Sequence, residues 1–174
     1  MTIRAIPFLV ILALAVGPSA AQEKKETAKN ARFEQFKQLA GEWVGKKDGM
    51  ELRASYKVTA GGTAVVETIF PGTDMEMVTV IHMDGDDLRL THYCMLGNQP
   101  QMKAAGKGDT GKIEFKFVKA TNLKSPKEMH MHDATFTFVD TDTLRVEWTH
   151  CMDGNVGSHG ALELKRKKVE KTTR

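Results

Sequence analysis

Leu39-Ala40-Gly41-Glu42-Trp43-Val44-Gly45 is where the chain changes character. From Gly41 onward, short segments of alternating apolar and polar residues recur, separated by Gly, Asp and Asn. Side chains of a strand alternate between two faces, and tight hairpins favour Gly, Asn and Asp because these tolerate positive φ. The pattern predicts about ten strands. They run roughly Glu42–Lys47, Glu51–Thr59, Thr63–Phe70, Glu76–Met83, Leu88–Leu96, Gln101–Lys107, Lys112–Ala120, Glu128–Val139, Thr143–Met152 and Ser158–Lys167. Asp48-Gly49, Asp84-Gly85-Asp86, Asp140-Thr141-Asp142 and Asp153-Gly154-Asn155 read as tight turns, and Asn122 to Lys127 as a longer loop. The expected architecture is all-β, an antiparallel up-and-down barrel of about ten strands. A closed barrel of this size has an interior, and an interior suggests a ligand.

Upstream, Phe33, Phe36 and Leu39 recur at a three-residue spacing and predict a short helix over Asn30–Ala40, stopped by Gly41. Such a helix can lid one barrel end. The first 21 residues read as a secretory signal: Arg4, then an apolar run from Ile6 to Val16, then the small residues Ser19-Ala20-Ala21. The run is shorter than the roughly 20 residues of a bilayer span. The expected organisation is thus a signal over 1–21, a flexible segment and helix over 22–40, the barrel over 41–168 and a basic tail over 169–174. An exported, periplasmic or extracellular protein with no stable membrane span follows. Removing Arg4 takes the formal charge from +3 to +2. Much of the basic excess lies in Lys165-Arg166-Lys167-Lys168 and Lys171, while the rest is balanced and poor in aromatics, so no nucleic-acid partner is expected.

Period two also sorts the candidate site residues. Leu88, Leu90, His92 and Cys94 share one face, and so do Leu144, Val146, Trp148 and His150. Buried imidazoles need hydrogen-bond partners, and a ligand's polar group is one such partner. His130 and His132 share parity with Phe136 and Phe138, which places them on the inner face with Glu67, His92 or His150 as a third metal ligand. Met75-x-Met77 and Met129-His130-Met131-His132 offer thioethers to a soft metal, or adaptable filler to a cavity wall. Cys94 falls on the apolar face and Cys151 on the polar face of a strand four places away, so no bridge is expected. Gly157-Ser158-His159-Gly160 lacks the context of a nucleophile elbow, and only His92 with Cys94 shares the face a thiol dyad needs. No catalytic residue is assigned.

Gly41-Glu42-Trp43-Val44-Gly45, together with the closing basic strand Leu162-Glu163-Leu164-Lys165-Arg166, resembles the calycin superfamily of lipocalins, fatty-acid-binding proteins and nitrobindin-like barrels. The resemblance implies that Gly41 and Trp43 close one barrel end and that Arg166 packs across the indole. The stretch from His92 to Pro100 resembles a bacterial family of exported lipocalin-like domains with no assigned function. Nitrobindin-like barrels hold haem through a histidine near the start of the last strand, where His159 stands, although parity groups His159 with Ala161, Glu163 and Lys165, opposite Leu162 and Leu164.

The expected function is binding of a small apolar or amphipathic molecule inside the barrel. Val66, Ile81, Leu90, Phe115, Phe136 and Trp148 would desolvate it, and His92, Cys94, His130, His132 and His150 would meet its polar part. The alternatives are a haem or soft-metal site on His130, His132 or His159, and a structural envelope-interaction domain with a filled core.

Overall fold

The computed structural model describes residues 31–47, 49–106 and 110–168. The expected signal, the segment before residue 31 and the tail over 169–174 lie outside these residues. Ten strands are present: β1 (Gly41–Lys47), β2 (Met50–Thr59), β3 (Ala64–Ile69), β4 (Met77–Asp84), β5 (Asp87–Tyr93), β6 (Gln99–Ala104), β7 (Lys112–Thr121), β8 (His130–Asp140), β9 (Thr143–Met152) and β10 (Asn155–Arg166). Each pairs antiparallel with its chain neighbour, and β1 pairs with β10 to close the ring. Residues 31–37 form a short α-helix, α1, the one α-helix among the described residues. No helix of the described residues is long and apolar enough to cross a membrane.

Alternation builds the core. Every second residue is buried, as in Val65, Glu67 and Ile69 on β3 and Leu88, Leu90 and His92 on β5. β5 stops at Tyr93, earlier than its apolar pattern suggests. Cys94 to Gly97 instead form a turn closed by the Gly97 N–H on the Cys94 carbonyl at 3.0 Å, with Gly97 at φ 75°.

The helix closes one end. Phe33, Phe36 and Leu39 are buried, and the Phe36 ring meets Phe115, Phe136 and Phe138 at 5.8, 5.1 and 5.3 Å. Arg32 donates to the carbonyls of Ala105 and Gly106 on the β6–β7 side. Trp43 donates from Nε1 to the Leu39 carbonyl at 2.8 Å, and the Arg166 guanidinium lies over its ring. Gly41 has φ 127°, and a Cβ on Gly45 would run into the Glu163 carbonyl of β10, so each glycine of the opening motif has its own steric reason.

Two bulges overturn the parity reading at two places. On β8, Met131 pairs with His150 and Ala134 with Trp148. Those partners are two apart on β9 and share a face, so Met131 and Ala134 share it too although they are three apart. His130 and His132 are thereby turned away from the interior, contrary to expectation. On β10, Ser158 pairs with Thr149 and Gly160 with Trp148, leaving His159 as the extra residue. Gly160 takes φ 102° there. His159 leaves the face of Ala161, Glu163 and Lys165, on which parity had placed it, and borders the cavity while remaining exposed.

Candidate functional site

A cavity at the open end, ringed by thioethers and imidazoles

Opposite the helix, the barrel interior opens into a cavity of about 180 Å³. Leu52, Ile69, Phe70, Leu96 and Leu162 form apolar wall, and Met77, Met95, Met129 and Met131 add flexible thioethers. His92, Cys94, Trp148 and His159 complete the lining. Pockets for drug-sized ligands run to roughly 300–1,000 Å³. This cavity therefore encloses a single chain or ring rather than a larger molecule. Of the six residues expected to desolvate a ligand, only Trp148 lines it. Ile81, Leu90, Phe115 and Phe136 are fully buried in the packed core, and Val66 alternates with the buried Val65 and Glu67 on the other face of β3.

His92 is the polar centre of the cavity floor. Its ring lies 4.8 Å from Trp148, and its Nδ1 is 3.0 Å from the Thr79 hydroxyl. Burial, with the neighbouring His159, holds its pKa down to about 4, so the ring is neutral at neutral pH. Nδ1 faces the wall, which leaves Nε2 for the cavity.

Behind His92 runs a row of polar side chains. Tyr56, Glu67, Thr79 and His92 are direct cross-strand partners on β2, β3, β4 and β5. The Tyr56 hydroxyl donates to Oε1 of Glu67, which is fully buried. Thr79 faces the Glu67 carboxyl from across the ladder, and Oε2 is buried with no hydrogen-bond partner among the described residues. Burial raises the Glu67 pKa, against the hydrogen bonds from Tyr56 and Thr79. Burial and the adjacent carboxyl push the Tyr56 phenol well above its usual value. A buried carboxyl without a cation beside it neutralises rather than ionises. The row is therefore uncharged.

His150 stands beside this cavity. It pairs across the sheet with Met131 and Gly157, and its ring is 5.7 Å from that of His159. Its Nδ1 is buried without a hydrogen-bond partner among the described residues.

The structure separates His130 and His132 from that group. β7 and β8 are paired only from Lys112 to Phe115, and beyond that they part. Asp133 spans the opening by accepting from the Phe117 N–H and from Lys116. In the gap, Phe117 stacks on His132 at 4.7 Å and lies 4.9 Å from His130, whose Nδ1 donates to the Glu128 carbonyl. They line an outer groove of about 530 Å³ with Lys119, Lys124, Lys127 and Cys151. Both cysteines are free, Cys94 on the cavity and Cys151 on this groove. No group of three His, Cys, Asp or Glu among the described residues is placed to hold a metal ion. The expected convergence of His130 and His132 with Glu67, His92 or His150 does not occur, because the β8 bulge puts the pair outside.

Tyr56 and Thr79 were not singled out from the sequence, and Glu67 was read only as a metal ligand. The signal was present in Ala64-Val65-Val66-Glu67-Thr68-Ile69, where Glu67 keeps the parity of Val65 and Ile69.

No protein-family model matches the chain, and no curated protein is similar to it. Among solved structures it is similar to Rv2717c from M. tuberculosis, with a TM-score of 0.56 and 14% identity. The likeness covers 79% of this chain and 98% of that one. The shared fold is the closed antiparallel barrel. At this identity the likeness speaks for the barrel alone.

Proposed function

We propose that the protein is an exported binder of a small apolar or amphipathic molecule, held in the cavity at the open end of the barrel. One observation carries this reading. The core is packed solid from the helix through Phe36, Phe115 and Phe136, yet it stops short of the other end, where an apolar space surrounds the neutral imidazole of His92. A purely structural barrel gains nothing from that space, since unfilled core volume costs stability. The ligand would be desolvated by Leu52, Ile69, Leu162 and the four methionines, and oriented by His92. The test is calorimetric titration with octane and its oxygenated analogues, beside the cavity-filling variant Leu162→Trp. Saturable binding that the variant abolishes supports the reading, and equal behaviour of both proteins refutes it.

Haem is the second reading, favoured by the bulge that sets the exposed His159 at the edge of the cavity. The donors fit in kind: the imidazoles of His92 and His159 and the Cys94 thiol among thioether and apolar side chains, with no carboxylate in the lining. The volume of about 180 Å³ would take in only part of a macrocycle. Bound haem would supply an iron open to one further small ligand. Here His159 would hold the metal while the methionines exclude water. Added hemin should then give a sharpened Soret band in the parent protein and none in His159→Ala. The same spectrum from both would exclude this reading.

A further inference from the structure

The polar row behind His92 has a direction, and that direction specifies the ligand's polar end. Glu67 is fully buried, and the groups facing it are Tyr56 from β2 and Thr79 from β4, with His92 of β5 one step beyond. Neither neighbour carries a positive charge, so the carboxyl is neutral and has one proton to place. Tyr56 also has one, and it points at Oε1. If the acid proton sat on Oε1, it would oppose the Tyr56 hydroxyl proton. With the proton on Oε2, Tyr56 O–H keeps Oε1 as its acceptor and the acid proton is free to turn toward Thr79. Oε2 is the buried oxygen with no hydrogen-bond partner among the described residues, and Thr79 is the polar group across the ladder from it.

The rest of the row follows. A Thr79 oxygen that accepts from Glu67 turns its own hydrogen to Nδ1 of His92, 3.0 Å away. A neutral imidazole that accepts at Nδ1 carries its hydrogen at Nε2. Nε2 is the nitrogen left for the cavity.

We propose that Glu67 is a positioning residue that, through Thr79, fixes His92 as a hydrogen-bond donor to the cavity, so that the ligand's polar end is a neutral acceptor such as a ketone, aldehyde or ether oxygen. The inference rests on the proposed ligand cavity. An alkylammonium, the form octylamine takes at neutral pH, presents only donors to a donor and is disfavoured. Gln at position 67 reproduces the arrangement, since its amide oxygen accepts from Tyr56 and its nitrogen donates to Thr79. Val at position 79 breaks it, leaving the tautomer of His92 unspecified.

Three probes of one length decide the matter by calorimetry: octane, methyl hexyl ketone and octylamine. The parent protein should bind the ketone about fivefold to tenfold tighter than octane, the worth of one net hydrogen bond. Octylamine should bind no tighter than octane. Glu67→Gln should keep the ketone preference and Thr79→Val should erase it. A ketone no better than octane, an amine preferred to the ketone, or a preference lost in Glu67→Gln overturns the inference while leaving the cavity reading intact. Failure of octane itself to bind overturns the cavity reading instead. Nitrogen NMR of the His92 ring then still reports on the row: a proton on Nε2 supports it, and a proton on Nδ1 overturns it, whether or not Thr79→Val folds.

Discussion

The Arg166 guanidinium lies 4.4 Å above the centre of the Trp43 indole and donates to the carbonyls of Ala40 and Gln38 at 2.9 and 2.8 Å. The last strand is thus tied to the first and to the exit of the helix in one contact. Trp43 is 1% exposed. Trp43→Ala should lower unfolding free energy by about 3–5 kcal/mol, as deletion of a large buried aromatic does. Arg166→Ala should cost about 1–3 kcal/mol through the lost ring contact and hydrogen bonds. Urea unfolding measures both, and unchanged midpoints would show that this end does not hold the barrel shut.

Gly45→Ala tests the other half of the opening motif. Its new methyl would collide with the Glu163 backbone, which has no flexible end to move aside. The β1–β10 seam should loosen, with a stability loss of about 1–3 kcal/mol from overpacking. Amide exchange along β10 should rise most near Glu163 and Leu164.

Low pH should act through His92. The unfolded chain takes up the imidazole proton near its usual value of about 6.5. The folded chain does so only near about 4. Between those values the unfolded state binds more protons, so stability falls as pH falls. Full stability from this group is present above about 6.5 and lost by about 4. His92→Leu should stay folded and flatten this slope while changing ligand retention. Unfolding of the variant at neutral pH would make His92 a structural hydrogen-bonder.

Glu67 works in the opposite sense. Its folded pKa is raised by burial, so the folded state holds a proton that the unfolded state has already released. Stability from this group therefore falls as pH rises above the ordinary carboxyl value. Glu67→Gln removes that proton linkage and keeps the row's hydrogen bonds. The variant's stability relative to the parent should grow with pH above 4.5, by up to about 1.4 kcal/mol per pH unit. Parallel curves for the two proteins would mean that Glu67 is ionised in the folded state.

The barrel was readable because period two and the turn residues act locally and repeat ten times over. The helix was readable from Phe33, Phe36 and Leu39 for the same reason. The site was less so, because one inserted residue reverses every later side chain of a strand. His159 and the His130–His132 pair were misplaced in this way, each by a bulge that pairing with β9 creates and that neither strand's own pattern reveals. His92 and Trp148 lie on uninterrupted alternation, Cys94 follows directly after β5, and all three line the cavity. The Tyr56–Glu67–Thr79–His92 row depends on the register of four strands at once. Periodicity within one strand carries no information about register.

The most direct test of the ligand cavity is NMR of the methionine methyl groups during titration with octane. Met77, Met95, Met129 and Met131 line the cavity, whereas Met102 is fully buried in the core and Met50 and Met152 are exposed outside it. Saturable shifts at the four cavity methyls, with Met50, Met102 and Met152 unmoved, are the predicted result. No saturable shift at those four, or shifts confined to Met50 and Met152, would contradict the claim that this barrel holds an apolar ligand at its open end.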